Sequence, residues 1–320
     1  MIRAGVALLI LMVLLTSGFA QQNKPDVRPC ISPLPLWPLN GDFPNLPPDQ
    51  YVFLDPQTNE WVVSYPEDQN APHSGRVTLR FDSHAAVEPV LLAHVSRQTD
   101  GTYSYEYTVL NSSRARTPLK NWTLLVPTPD EKFQARHSAW LASRKDAAQV
   151  RDLLPAASRL AIVEWGGPNP IPPGGATGAF TLRSGSSPGF TTASFSGLAK
   201  SEYSDQIASA LPKVVADQVA HVLQPAWDSQ VRMVLGPRFP VGTPQIIVVD
   251  NFHFGISVLA QQGILNSESP FVKDALATLR GFLSSGGAIS LTADRLDFLT
   301  AAVPGLESEI ASALRLSLAP

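Results

Sequence analysis

Apolar and polar residues alternate most clearly in one stretch, whose apolar positions are Tyr103, Tyr105, Tyr107 and Val109. A period of two in aromatic and β-branched residues is typical of a half-buried antiparallel strand. Asp100-Gly101 predicts a turn before this strand, and the polar residues 111–118 predict a loop after it. Because the alternation resumes at residues 122–126, the sequence predicts a hairpin here.

Similar patterns predict further strands on both sides of this hairpin. They cover residues 51–54, 61–65, 76–81, 90–95, 160–165, 177–182 and 190–195. Asp55 to Glu60 has the composition of a turn, and the glycine- and proline-rich residues 166–175 predict a loop. About nine strands separated by turn residues are typical of a β-sandwich.

A proline-glycine pair, Pro173-Gly174, stands ahead of the predicted strand that contains Phe180. This arrangement resembles the late strands of immunoglobulin-like β-sandwich modules in bacterial secreted and surface proteins. The resemblance covers this region alone. It implies an immunoglobulin-like sandwich and favours a binding module.

Two kinds of helical pattern interrupt or follow the strands. Thr128 to Glu131 has the composition of a helix N-terminus, and Phe133, His137, Trp140 and Leu141 follow at helical spacing. The sequence therefore predicts a helical insertion near residues 128–154. Later spacings of three and four residues predict helices over residues 207–223, 270–283, 292–303 and 306–316.

The predicted fold class is α+β with more than one domain. An antiparallel, immunoglobulin-like β-sandwich is expected at residues 50–200, followed by a mainly α-helical domain at residues 201–320. Within the second domain, Pro237, Pro240 and Pro244 predict a linker, and the apolar residues 245–250 predict a short strand.

The N-terminus predicts export. Arg3 precedes an apolar run over residues 4–15, and small residues stand at Gly18 and Ala20. This order is typical of a signal peptide at residues 1–20, which predicts a periplasmic or extracellular protein. Residues 21–49 form a proline-rich lead-in, and no later run is long enough to predict a transmembrane segment in the mature chain.

Composition narrows the classes of partner. The chain has 320 residues, 16% of them charged, and a formal net charge of −3. Without a basic patch, nucleic acid is not an expected partner. Cys30 is the single cysteine, so an internal disulfide and a thiolate metal site are both excluded. We predict no cofactor.

The tyrosine row supports two interpretations. Tyr103, Tyr105 and Tyr107 on one face of a strand are able to form a flat aromatic platform for sugar rings. Alternatively the row packs into the sandwich, which leaves the intervening polar residues in solvent. The second interpretation satisfies the residues on both faces of the strand.

Other candidate residues are acids and histidines. Asp82 and His84 lie two apart, and Asp250 and His253 follow an apolar run. Each pair is a candidate acid–base pair, but two ligands do not make a metal site. The chain has no G-x-S-x-G nucleophile motif. Asn111 and Asn121 begin glycosylation sequons, and Asn111 is expected in a loop that is able to carry a glycan.

These observations favour a secreted or envelope-associated, non-catalytic interaction protein, with a polysaccharide or a protein as partner. One alternative is a secreted hydrolase that uses the scattered Asp and His residues. Another is a structural component of an envelope assembly. Convergence of three of the residues Asp82, His84, Asp250 and His253 in one pocket favours the hydrolase, whereas an exposed apolar patch on the helices favours the assembly.

Overall fold

The computed structural model describes residues 51–55, 57–58, 60–68, 75–127, 132–145, 160–199, 205–222, 229–288, 291, 296, 299 and 302–318. In these residues the protein is built mainly from antiparallel strands, with helices in its later part. None of the helices described there combines the length and apolar character needed to cross a membrane. The predicted signal peptide, the proline-rich lead-in and Cys30 lie outside the described residues.

The strands are β1 (Val52–Leu54), β2 (Glu60–Pro66), β3 (Arg76–Asp82), β4 (Pro89–Arg97), β5 (Tyr103–Asn111), β6 (Leu119–Pro127), β7 (Gln134–Arg136), β8 (Leu141–Lys145), β9 (Leu160–Ile171), β10 (Ala176–Ser184), β11 (Ser187–Gly197) and β12 (Gln230–Phe239). The helices are α1 (Asp205–Ala210), α2 (Lys213–Val222), α3 (Gln245–Gln261), α4 (Pro270–Ser284) and α5 (Leu306–Leu318).

The first three strands form a small antiparallel sheet in the order β1-β2-β3. The predicted turn between β1 and β2 is confirmed, because Asp55 Oδ1 accepts hydrogen bonds from the backbone N–H groups of Gln57 and Thr58 at 2.9 and 3.3 Å. One face of this sheet is covered by α1 and α2, which come from far along the chain. Leu211, between these helices, and Val215 and Val219 of α2 pack with Val52, Trp61, Val63 and Phe81. The small sheet therefore has an apolar cluster of its own.

The remaining strands form two larger antiparallel sheets, one in the order β4-β5-β10-β7 and the other in the order β12-β11-β6-β9-β8. The predicted turn at Asp100-Gly101 joins β4 to β5, and Gly101 adopts the positive φ of 78° that suits glycine. The predicted hairpin between β5 and β6 is wrong. These strands belong to different sheets, so the connection over residues 112–118 crosses from one sheet to the other.

Three other local predictions need correction. The helix predicted through residues 133–141 is replaced by β7 and the start of β8, and the rest of the predicted insertion near 128–154 falls largely outside the described residues. The loop predicted to begin at Gly166 starts later, because β9 continues to Ile171. Residues 245–250 are the first turns of α3 rather than a strand.

The predicted linker at Pro237 is also part of a strand, since β12 pairs with β11 along most of its length. One hydrophobic cluster contains Tyr107 of β5, Trp122 of β6, Phe252 of α3, Leu279 of α4 and Leu314 of α5. The core thus runs without interruption across the predicted domain boundary at residues 200 and 201.

Candidate functional site

The tyrosine row lies on the buried face of the four-stranded sheet. Tyr103, Tyr105 and Tyr107 are 8%, 0% and 1% exposed. The Tyr105 hydroxyl donates a hydrogen bond to the carbonyl oxygen of Ser186 at 2.8 Å. The Tyr107 ring meets Trp122 of the five-stranded sheet edge-on, with ring centroids 5.5 Å apart. Rings buried in this way offer no face to a sugar, so the row is part of the core and does not form a platform.

Burial also removes Tyr107 from acid–base chemistry. Its hydroxyl is sealed from solvent and has no hydrogen-bond partner in the described part of the chain. Desolvation raises the pKa of Tyr107 well above its ordinary value. The hydroxyl therefore stays protonated at physiological pH.

Asp82 and His84 lie at the junction between the small sheet and the larger ones. Asp82 ends β3 and is paired with Glu60 in the strand register. The His84 ring places Nδ1 2.9 Å from the carbonyl oxygen of Gly197, and the Gly197 N–H donates to the His84 carbonyl at 2.7 Å. His84 therefore joins the segment after β3 to the end of β11, which is a structural role.

Asp250 and His253 lie one turn apart on α3. Burial lowers the pKa of His253, and the positive charge of Arg280 on α4 lowers it further, while Asp250 partly opposes both effects. His253 Nε2 is sealed from solvent and has no hydrogen-bond partner among the described residues. A histidine held neutral between two helices is better explained by packing than by proton transfer.

The two pairs are far apart. Next to Asp250, Asn251 binds the backbone of Phe190 through two hydrogen bonds of 2.7 and 3.0 Å, which fixes this part of α3 beside the first half of β11. His84 is bonded to Gly197 at the other end of the same strand. Phe190 and Gly197 are separated by roughly 23 Å at the usual rise of a strand. The four candidate residues therefore do not converge in one pocket.

Asn111 is not a surface acceptor for a glycan. It ends β5, is 1% exposed, and its side-chain amide donates to the carbonyl oxygens of Thr117 and Ile171 at 2.9 and 3.2 Å. Its Oδ1 accepts from the backbone N–H of Glu88 at 3.1 Å. A glycan on the amide nitrogen would displace these bonds, so the prediction that Asn111 is available in a loop is wrong.

Among the described residues, no group of three or more His, Cys, Asp or Glu side chains is close enough to hold a metal ion.

The strongest candidate surface is on α3. Its buried residues, Val248, Val249, Phe252, Gly255, Ile256 and Leu259, face the rest of the protein. Its opposite side also carries large apolar residues, since Ile246, Ile247 and Phe254 are 39%, 52% and 39% exposed. Val241 in the preceding loop is 96% exposed. We call Val241, Ile246, Ile247 and Phe254 the α3 surface.

Large apolar side chains that stay exposed on a helix are typical of a surface that another molecule covers. Sequence reasoning missed this surface because residues 245–250 were interpreted as a strand. The sequence feature that indicates this surface is the long apolar run from Ile246 to Leu259. Asp250 is the single acidic or basic residue in this run, apart from His253.

The chain matches no protein-family model, and no curated protein matches it in sequence.

Proposed function

We propose that this chain is a secreted or envelope-associated, non-catalytic interaction protein that binds another protein through the α3 surface. One observation carries the proposal: three large apolar side chains of α3 stay exposed on a helix whose other side is buried in the core. Covering such a face with a partner removes apolar area from water, which is the main driving force of protein association.

The chemistry of the α3 surface suits a protein better than a sugar. Ile246 and Ile247 are aliphatic and offer no ring face for stacking, and Phe254 is the one aromatic residue. Asp250, one turn from both Ile247 and Phe254, is the single charged side chain on the exposed side of the helix, so this face carries little charge. We therefore propose that the partner is a protein with an apolar contact patch.

An immunoglobulin-like sandwich is proposed as the scaffold of this surface. Support comes from the strand orders of the two larger sheets and from the contacts between them. Tyr107 of β5 packs against Trp122 of β6 and Trp165 of β9, with ring centroids 5.5 and 6.4 Å apart. Such contacts between two antiparallel sheets are typical of a sandwich core.

Export is proposed from the N-terminal sequence. The charged Arg3, the apolar residues 4–15 and the small residues before Gln21 are typical of a signal peptide. A role in an envelope assembly is compatible with the same α3 surface, because a fixed neighbour would cover it permanently. The hydrolase alternative loses its support, since its four residues lie in two distant places.

Photo-crosslinking in the source organism tests this function. A photoreactive residue replaces Ile247 in the full chain, and the matched control replaces Val214, which is 47% exposed on α2. We expect a discrete crosslinked protein from position 247 only. Adding Phe254→Glu should weaken the contact about 30-fold, as expected for an interface hot spot.

Equal crosslinking at positions 247 and 214 would contradict the proposal. Crosslinks from position 247 to a second copy of this chain would show that the α3 surface binds another copy and not a different protein. The melting temperature of the Phe254→Glu variant is the control for folding, since substitutions at partly exposed positions usually change stability by no more than about 0.5 kcal/mol.

A further inference from the structure

Arg238 occupies an irregular place in β12. Its neighbour Pro237 pairs with Pro188 of β11, and its other neighbour Phe239 pairs with Ser187. Arg238 is therefore an extra residue without a partner across the strands, as in a β-bulge. Bulges redirect a side chain that would otherwise follow the regular alternation of the sheet.

Gly189 lets β11 lie close against the bulge at Arg238. A Cβ atom at Gly189 would come within 2.8 Å of Arg238 Cβ and 2.5 Å of Phe239 Cε2. Both distances are too short for real atoms, so no larger residue fits at position 189 without displacing its neighbours. The Ser187 hydroxyl beside this place is held weakly, at 3.5 Å from the carbonyl oxygen of Phe239.

The guanidinium of Arg238 has no hydrogen bond or ion pair within the part of the chain that the structure describes. Two arginines of other strands, by contrast, have acidic partners. Arg80 binds Asp55 at 3.0 Å, and Arg183 binds Asp100 at 2.6 Å. Arg238 is partly buried as well, and this burial alone lowers its pKa.

An uncompensated guanidinium in a partly desolvated place is costly, so it normally acquires an anionic partner. The nitrogen atoms of Arg238 do not belong to the sealed and unpaired side-chain atoms of the described residues. These atoms are therefore not fully sealed from solvent. A planar guanidinium binds the two oxygens of a carboxylate or phosphate at once.

We propose that Arg238, set in the bulge of β12 beside Gly189 and Ser187, is the anchor of a binding site for an oxyanion. The site is independent of the α3 surface. The ligand contributes a carboxylate or a phosphoryl group.

Thermal unfolding of the full chain with increasing inorganic phosphate or acetate, at constant ionic strength, tests this site. We expect a saturable rise in melting temperature of about 5 °C at a hundredfold excess over Kd. Saturation by phosphate alone identifies a phosphoryl ligand, and saturation by acetate alone identifies a carboxylate ligand. In Arg238→Gln we expect this rise to be lost, while the melting temperature without anion stays equal to or above that of the unchanged protein.

The matched control is Arg183→Gln, which removes an arginine that is already paired and should keep the anion effect. If neither anion gives a saturable rise, or if Arg238→Gln keeps it, the proposal is wrong. If Arg238→Gln does not fold, Arg238→Lys is the second variant, because it keeps the positive charge but cannot form the bidentate contact of a guanidinium. It should bind the effective anion at least about tenfold more weakly, and equal affinity would overturn the site.

Discussion

At the scale of single residues, Asn111 connects three separate parts of the chain. Its side chain binds the backbone of Glu88, Thr117 and Ile171. Asn111→Ala leaves one buried N–H and two carbonyl groups without this partner, which should lower the free energy of unfolding by about 2–4 kcal/mol. Urea unfolding followed by circular dichroism measures the change.

Ser113→Ala is the matched control, because Ser113 belongs to the same sequon but is exposed. Its stability should stay within about 0.5 kcal/mol of the unchanged protein. Equal stability of both variants would show that the bonds of Asn111 contribute little. Nothing in the local sequence distinguishes this asparagine from a glycan acceptor, because its partners come from distant segments.

At the scale of secondary-structure elements, the contact between α3 and β11 depends on the absence of a side chain. A Cβ atom at Gly255 would lie 2.1 Å from Cδ2 of the buried Phe190. Gly255→Ala should therefore destabilise the protein by about 1–3 kcal/mol, although alanine favours a helix. Urea unfolding of the full chain measures the difference.

Gly281 on α4 is the matched control, since a Cβ atom there has nothing within 4 Å. Gly281→Ala should stabilise the protein by about 0.5–1 kcal/mol through helix propensity alone. If Gly255→Ala were stabilising to the same extent, α3 would not be packed tightly on Phe190.

The strands and helices in which apolar residues recur at a regular spacing were predictable from the sequence. The alternation in β5 and the spacing in α4, with Ser269 as its N-cap, both correspond to the structure. The helix predicted through residues 133–141 failed because the turn there is held by a side chain. The backbone N–H groups of Ala139 and Trp140 donate to His137 Nδ1 at 3.0 and 2.9 Å, and His137 stacks on Phe180.

The candidate surface was not predictable for a different reason. Residues 245–250 contain a run of isoleucine and valine that favours a strand locally. The whole apolar segment, including the residues after 250, forms the helix α3 because one face of this helix packs on Phe190 and on α4. Which apolar side chains of a helix remain exposed depends on this packing, and a period alone does not reveal it.

At the scale of the whole molecule, the shared core predicts that residues 201–320 do not fold as an independent domain. β12 pairs with β11 from Gln230 to Phe239, and α3 covers Phe190 on the same strand. A chain that ends at residue 200 loses these neighbours and exposes the edge of β11 together with apolar side chains. Unpaired edges of this kind favour aggregation.

We therefore expect that neither residues 50–200 nor residues 201–320 fold alone. Each fragment should lack a cooperative thermal transition by circular dichroism, whereas a chain of residues 21–320 should unfold in one. Mixing the fragments should restore part of the transition if the two halves recognise each other through β11 and β12. Two independently cooperative fragments would contradict the shared core and support a domain boundary at residue 200.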